Sequence, residues 1–200
     1  MHTVMKSRLN INIFIVLMGL LWGLTELTAG YLLHLLHIPV AGALLMPVGV
    51  LTMLSVYSRG GTKSSLFLVS LIAASVKLVT ILFVPVTNFY LVINPVVAIL
   101  LEGLIMIIPI SLISSLKSYR VPGVFIAFYA AILFYKFAFI SFQALLSINT
   151  GAPALGGLNI FENSGFLFVE TLISSVIITG SLLLKELYYP LPAESEVNPN

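Results

Sequence analysis

Long apolar stretches alternate with short polar connectors along most of this chain. Six stretches approach or exceed the roughly 20 residues that a helix needs to cross a bilayer. They cover residues 11–33, 40–57, 66–83, 91–113, 124–146 and 166–184. The connectors contain the glycine, proline and small polar residues that end helices. The pattern predicts an all-α integral membrane protein with a bundle of six transmembrane helices in residues 1–189. A polar, disordered tail is expected at 190–200.

Composition supports a membrane protein and excludes several other classes. The chain is 60% hydrophobic and 8% charged, whereas soluble domains carry about 25% charged residues. The absence of cysteine excludes a disulfide scaffold, and the absence of a basic run argues against nucleic-acid binding. We therefore expect the lipid bilayer, and no nucleic acid, among the partners.

Basic residues predict the orientation of the bundle. In a six-helix arrangement, all extramembrane lysines and arginines fall on one side. These residues are Lys6, Arg8, Arg59, Lys63, Lys117, Arg120 and Lys185. Because cytoplasmic loops carry an excess of lysine and arginine, both termini are predicted to be cytoplasmic and the 147–165 connector to lie outside.

Charged residues within the apolar stretches give the main functional signal. They are Glu26, Lys77, Glu102, Lys136 and Glu170. Each costs about 2.5–3.5 kcal/mol at a helix centre, so each should face the bundle interior or water and have a partner. We expect Glu102 and Lys136 to form a pair near the midplane, with the other three towards the outside. Two interpretations stay open, namely a substrate pocket or ion pathway, and structural ion pairs that fix helix order.

Two amides extend this predicted pocket. The fourth helix is expected to begin near Asn94, since Pro95 suits a first helical turn. Asn94 would then cap the helix or hydrogen-bond a ligand, and Gln143 is a further binding candidate. Trp22 and Tyr31 are candidates to line a ligand site, although aromatic residues near a membrane boundary are more often interfacial anchors. No third ligand accompanies His34 and His37, and no nucleophile–base arrangement is visible, so we predict no metal, no cofactor and no enzymatic activity.

Glycines give the first helix a face of small residues. Gly19, Gly23, Glu26 and Gly30 follow a spacing that places them on one side of a helix. Small residues at such spacing let another helix approach closely. The approaching helix can belong to the same bundle or to a partner protein.

Taken together, these features resemble the substrate-binding S components of energy-coupling factor transporters. The resemblance covers most of residues 11–184, and the 94–103 segment is similar to the proline-then-glutamate helix of some thiamine-precursor S components. It implies a prokaryotic cell-membrane protein that takes up a vitamin or vitamin precursor with separate coupling and ATPase subunits. It also implies that Gly19 and Gly23 contact the transmembrane coupling subunit.

Three other functions remain open on the sequence. A self-sufficient proton-linked carrier or channel would use Glu102 and Lys136 as a relay. A non-transport membrane assembly protein would use the ion pairs only to organise helices. A membrane enzyme is the least favoured, because no nucleophile and base can be located.

Overall fold

Six long helices form the protein in a computed structural model, which describes residues 2–36, 38, 40–114, 121–153 and 163–188. They are α1 (His2–Leu35), α2 (Ala41–Ser58), α3 (Lys63–Leu78), α4 (Tyr90–Ser114), α5 (Val121–Thr150) and α6 (Glu170–Tyr188). Short 3₁₀ turns at Val79–Leu82 and Val86–Asn88 follow α3, and a π-helical turn at Gly165–Val169 leads into α6. The predicted tail at 190–200 lies outside the described residues.

The six helices agree closely with the six predicted stretches. All of them are long and apolar enough to cross a membrane. Large apolar side chains also cover the outward surface, as shown by Ile108, Ile126 and Phe134, each more than 60% exposed. Water disfavours so much exposed apolar surface, whereas a lipid environment accepts it. The all-helical fold predicted from the sequence is confirmed, with six helices that are long and apolar enough to cross a membrane.

The helices pack as a closed ring in the order α1, α3, α4, α5, α6, α2. Each helix contacts the next one in this order, and α2 returns to α1. Helix α2 also contacts α3 and α4, and it has the largest buried share of the six. Helix α2 is therefore the most central element of the bundle.

A proline in α2 explains one contact across the bundle. Pro47 has no N–H, so the carbonyl of Ala43, four residues earlier, loses its helical donor. The hydroxyl of Ser174 on α6 donates to this carbonyl over 3.1 Å. Serine side chains commonly satisfy such freed carbonyls in membrane helices. The proline is thus accommodated by a hydrogen bond that also joins α2 to α6.

Helix α4 begins earlier than expected. It starts at Tyr90, so Pro95 lies inside the helix, and the prediction of a start near Asn94 is wrong. Asn94 is consequently a residue of the helix interior and does not cap its first turn. The 3₁₀ turn at Val86–Asn88 and the bonds from Val92 and Ile93 to the carbonyl of Phe89 begin the helix instead.

The glycines of α1 pack against α3 of the same chain. A Cβ on Gly19 would lie 2.7 Å from Cβ of Ile72, and one on Gly23 would lie 2.7 Å from Cβ of Val76. Real Cβ atoms do not approach other atoms so closely, so both positions require glycine at this contact. Of the two alternatives for this face, the structure shows packing within the bundle, and contact of Gly19 and Gly23 with a coupling subunit stays a prediction.

Candidate functional site

The predicted binding residues gather in one half of the bundle. We call the end of the bundle that holds the described residues 36, 38, 79–89 and 151–153 the non-basic end, since none of these residues is lysine or arginine. Glu102 and Lys136 lie at the middle of α4 and α5. The other predicted binding residues lie between that level and the non-basic end, and they are Glu26, Lys77, Asn94, Gln143 and Glu170.

Lys136 forms an ion pair with Glu170. Its Nζ lies 2.9 Å from Oε2 of Glu170, and both side chains are buried. The same Nζ donates a hydrogen bond to the carbonyl oxygen of Phe166 and lies 4.1 Å from the centre of the Phe166 ring. The expected pairing of Lys136 with Glu102 is therefore wrong, because Glu170 occupies the lysine.

Two local features of the backbone allow this pairing. In the π-helical turn, the N–H of Glu170 bonds to the carbonyl of Gly165, five residues back. In an α-helix the same N–H would bond to the carbonyl of Phe166, four residues back, so the turn leaves that carbonyl without its α-helical donor. A Cβ on Gly42 of α2 would lie 3.1 Å from Oε2 of Glu170, so glycine gives the carboxylate room. π-Turns are frequent at functional sites, and this one orients the carbonyl that receives Lys136.

Lys77 and Glu26 form a second association, between α3 and α1. Nζ of Lys77 donates to the backbone carbonyl of Glu26 over 2.9 Å. The Glu26 carboxylate and this ammonium group both face Gly30: Oε2 and Nζ lie 3.7 and 3.9 Å from the position that a Cβ on Gly30 would take. Both residues are partly buried. Lys77 therefore already has an acidic neighbour.

Glu102 is the third acidic residue, and no lysine in the described part of the chain bonds to it. The residue is 4% exposed, and its Oε1 is buried without a hydrogen-bond partner. Among the described residues, no lysine or arginine lies within 4.0 Å of its carboxylate oxygens. A buried carboxylate oxygen without a partner is costly, so a hydrogen-bond donor, a proton or a cation would stabilise this group.

A glycine of the central helix brings Glu102 next to Trp22. The position that a Cβ on Gly49 would take lies 2.5 Å from both Oε1 of Glu102 and Cε2 of Trp22. Trp22 is fully buried, so its expected location as an interfacial anchor is wrong. Tyr31, in contrast, is 68% exposed. The free carboxylate thus lies beside an aromatic ring inside the bundle.

Asn94 contributes a second unsatisfied polar group. It is fully buried, and neither its Nδ2 nor its Oδ1 has a hydrogen-bond partner. It precedes Glu102 by eight residues on α4, which corresponds to about 12 Å along the helix axis. Gln143 on α5 is also buried. One helix therefore carries two buried polar side chains with unused hydrogen-bonding atoms, one near the non-basic end and one in the middle.

Sequence reasoning missed the glycines of α2 that shape this interior. Gly42 and Gly49 make room for Glu170 and Glu102, respectively, and their seven-residue spacing places them on one helix face. That spacing is visible in the sequence, but its meaning depends on the central position of α2. Also missed was the contact between the rings of Tyr135 and Phe139, whose centres lie 6.3 Å apart beside Lys136.

Nothing in the described part of the chain forms a cluster of three or more metal-ligating side chains. The site is thus composed of two acid–base associations, a free carboxylate, a free amide and buried aromatic rings. Such a set suits the binding of a small polar molecule by hydrogen bonds and charge.

No protein-family model, curated protein or solved structure matches this chain.

Proposed function

We propose that this chain is the membrane subunit that binds a small water-soluble nutrient, such as a vitamin or vitamin precursor, for uptake into a prokaryotic cell. In this proposal the solute enters from the non-basic end, which faces outwards, and binds in the bundle interior. Separate coupling and ATPase subunits then supply the energy for its release inside.

The unsatisfied polar atoms of Asn94 and Glu102 are the observation that carries the proposal. Buried polar atoms are nearly always hydrogen-bonded in folded proteins. An asparagine with two unused amide atoms and a carboxylate with an unused oxygen, both on α4, therefore offer three hydrogen-bonding atoms to an external partner. Nε1 of Trp22, beside Glu102, is a further unpartnered donor, whereas the single unpartnered hydroxyl of Thr179 lies on α6. A purely structural network would satisfy these atoms internally, as it does for Lys136 and Glu170.

The requirement for coupling and ATPase subunits rests on the resemblance to S components. Because α3 covers Gly19 and Gly23, we assign the contact with the coupling subunit to an exposed side of α1. Leu17, Leu20 and Leu24 share that side and are 53%, 38% and 51% exposed. A partner helix can pack there without displacing α3.

The free carboxylate also favours a second candidate, a proton-linked carrier that works alone. A buried glutamate without a basic partner is a common feature of proton pathways in membranes. The two candidates differ in their energy source. Reconstituted carrier would move protons across a vesicle membrane without ATP, whereas an S component would not.

Mass spectrometry of small molecules released from the purified protein tests solute binding. We expect wild type to retain a small polar compound, and Asn94→Ala to lose it because both amide contacts are removed. Thr179→Val is the matched control, since Thr179 is also buried with an unpartnered hydroxyl but lies towards the opposite end. Wild type that retains no small molecule, or equal retention by Asn94→Ala, contradicts the proposal.

Vesicles loaded with a pH-sensitive dye separate the two candidates. We expect no proton flux through the reconstituted chain alone, and we expect ATPase subunits to co-purify from native membranes. A proton flux that depends on Glu102 and needs no ATP would favour the carrier.

A further inference from the structure

We propose that the bound solute carries a positively charged nitrogen, which pairs with the Glu102 carboxylate beside the ring of Trp22. This inference rests on the proposed function, since it assigns the charge of the solute that the interior binds. The predicted spans contain five charged residues, which are three glutamates and two lysines.

Each lysine of the spans already has an acidic neighbour. Lys136 forms an ion pair with Glu170, bonds to a backbone carbonyl and lies over the Phe166 ring. Lys77 bonds to the backbone carbonyl of Glu26, and its ammonium group and the Glu26 carboxylate both face Gly30. A negatively charged ligand would have to compete with Glu170 for Lys136 or with Glu26 for Lys77.

Glu102 is the charge that remains. Pairing two lysines with two glutamates leaves this carboxylate without a cation. Its Oε1 has no partner, and its residue is 4% exposed. A charge buried without a partner is strongly unfavourable. A cationic group on the solute offsets that penalty more strongly than a neutral hydrogen-bond donor does, because hydrogen bonds between charged groups are the stronger ones.

The aromatic surroundings of Glu102 suit the same ligand chemistry. Oε1 of Glu102 and Cε2 of Trp22 both lie 2.5 Å from the position of a Cβ on Gly49, so the carboxylate and the indole meet at this glycine. Cations bind favourably over aromatic faces, and most strongly over tryptophan. Asn94, further along α4, offers both a donor and an acceptor to the polar remainder of the solute.

Three probes of nearly equal shape test the charge requirement. Benzamidinium, benzamide and benzoate are added separately to the purified wild-type protein in detergent, and binding is measured by thermal shift and calorimetry. We expect only benzamidinium to bind. In Glu102→Gln its affinity should fall about 10- to 100-fold, because a charge-assisted hydrogen bond is lost. Trp22→Leu should lower the affinity about 3- to 30-fold, and Thr179→Val should leave it unchanged.

The outcomes separate this inference from the proposed function. Equal binding of benzamide or benzoate, or benzamidinium binding that Glu102→Gln leaves unchanged, overturns the cation assignment. Failure of all three probes overturns it as well. The proposed function survives either result if mass spectrometry identifies a neutral or anionic compound that wild type retains and Asn94→Ala loses. Absence of any retained compound contradicts both.

Discussion

Nζ of Lys136 lies 2.9 Å from Oε2 of Glu170, and this ion pair determines which acidic residue of the interior remains free. Nζ of Lys136 also donates a hydrogen bond to the Phe166 carbonyl of the π-helical turn. Both hydrogen bonds are thus directed towards α6 and the turn that precedes it, and Lys136 donates none to Glu102 on α4 in the described structure. Because Glu170 neutralises Lys136, we propose a structural function for Glu170 and a ligand-binding function for Glu102.

Single and double variants of this pair should show strong coupling. Lys136→Met leaves the Glu170 charge uncompensated, and Glu170→Gln leaves the Lys136 charge uncompensated. Each should lower the free energy of unfolding by about 3–5 kcal/mol, and the double variant should lose less than either single variant. Denaturant unfolding in detergent measures all four proteins. Additive losses would show that the two residues do not form a functional ion pair in the membrane protein.

Gly49→Ala should disturb the site directly. The new Cβ would lie 2.5 Å from both Glu102 and Trp22, so both side chains must move, at a cost of about 1–3 kcal/mol. We expect a lower melting temperature and a weaker retention of solute. Gly180→Ala is the control, because no atom lies within 4 Å of its new Cβ. A Gly49→Ala protein with wild-type stability and binding would contradict the described packing of α2.

Gly19→Leu and Gly23→Leu should prevent correct folding. A leucine at either position collides with α3, at Ile72 or Val76. We expect size-exclusion chromatography to show loss of the folded monomer, while Gly180→Leu remains folded. Variants that fold normally but no longer co-purify with a coupling subunit would restore the partner contact inferred from the resemblance.

The predicted orientation can be measured with single cysteines, since the chain contains none of its own. Ser58 and Thr87 are exposed residues at opposite ends of the bundle. In intact cells, a membrane-impermeant thiol reagent should label Thr87→Cys and leave Ser58→Cys unlabelled. After the membrane is permeabilised, both should react. Labelling of Ser58→Cys in intact cells would reverse the proposed direction of solute entry.

The sequence predicted the helices well because membrane spans depend mainly on the length of apolar stretches. The burial of Glu102, Lys136 and Glu170 was also predictable, since lipid exposure of charge is costly. The partner of Lys136 was not predictable, because α5 contacts both α4 and α6 in the ring. Two features favour Glu170 over Glu102 as the partner of Lys136. The π-helical turn exposes the Phe166 carbonyl to the lysine, and Gly42 leaves room for the Glu170 carboxylate.

Trp22 illustrates the same limit. Its position in the sequence is compatible with an interfacial anchor or with the interior. The difference depends on Gly49, a residue of another helix that leaves room for the indole. Such contacts between helices are specified by side-chain shape across the bundle and are not visible in the periodicity of one helix.

We propose that the Glu102 carboxylate binds a ligand and has no structural partner within the bundle. The stability of Glu102→Gln, compared with that of Glu170→Gln, tests this proposal most directly. Without added solute, Glu102→Gln should be at least as stable as wild type, because it removes an unpaired buried charge. Glu170→Gln should be less stable by about 3–5 kcal/mol, because it leaves Lys136 unpaired. Melting temperatures of the three purified proteins, measured side by side in one detergent, give the answer. A Glu102→Gln protein destabilised as much as Glu170→Gln would show that Glu102 is a structural partner within the bundle and would contradict the account.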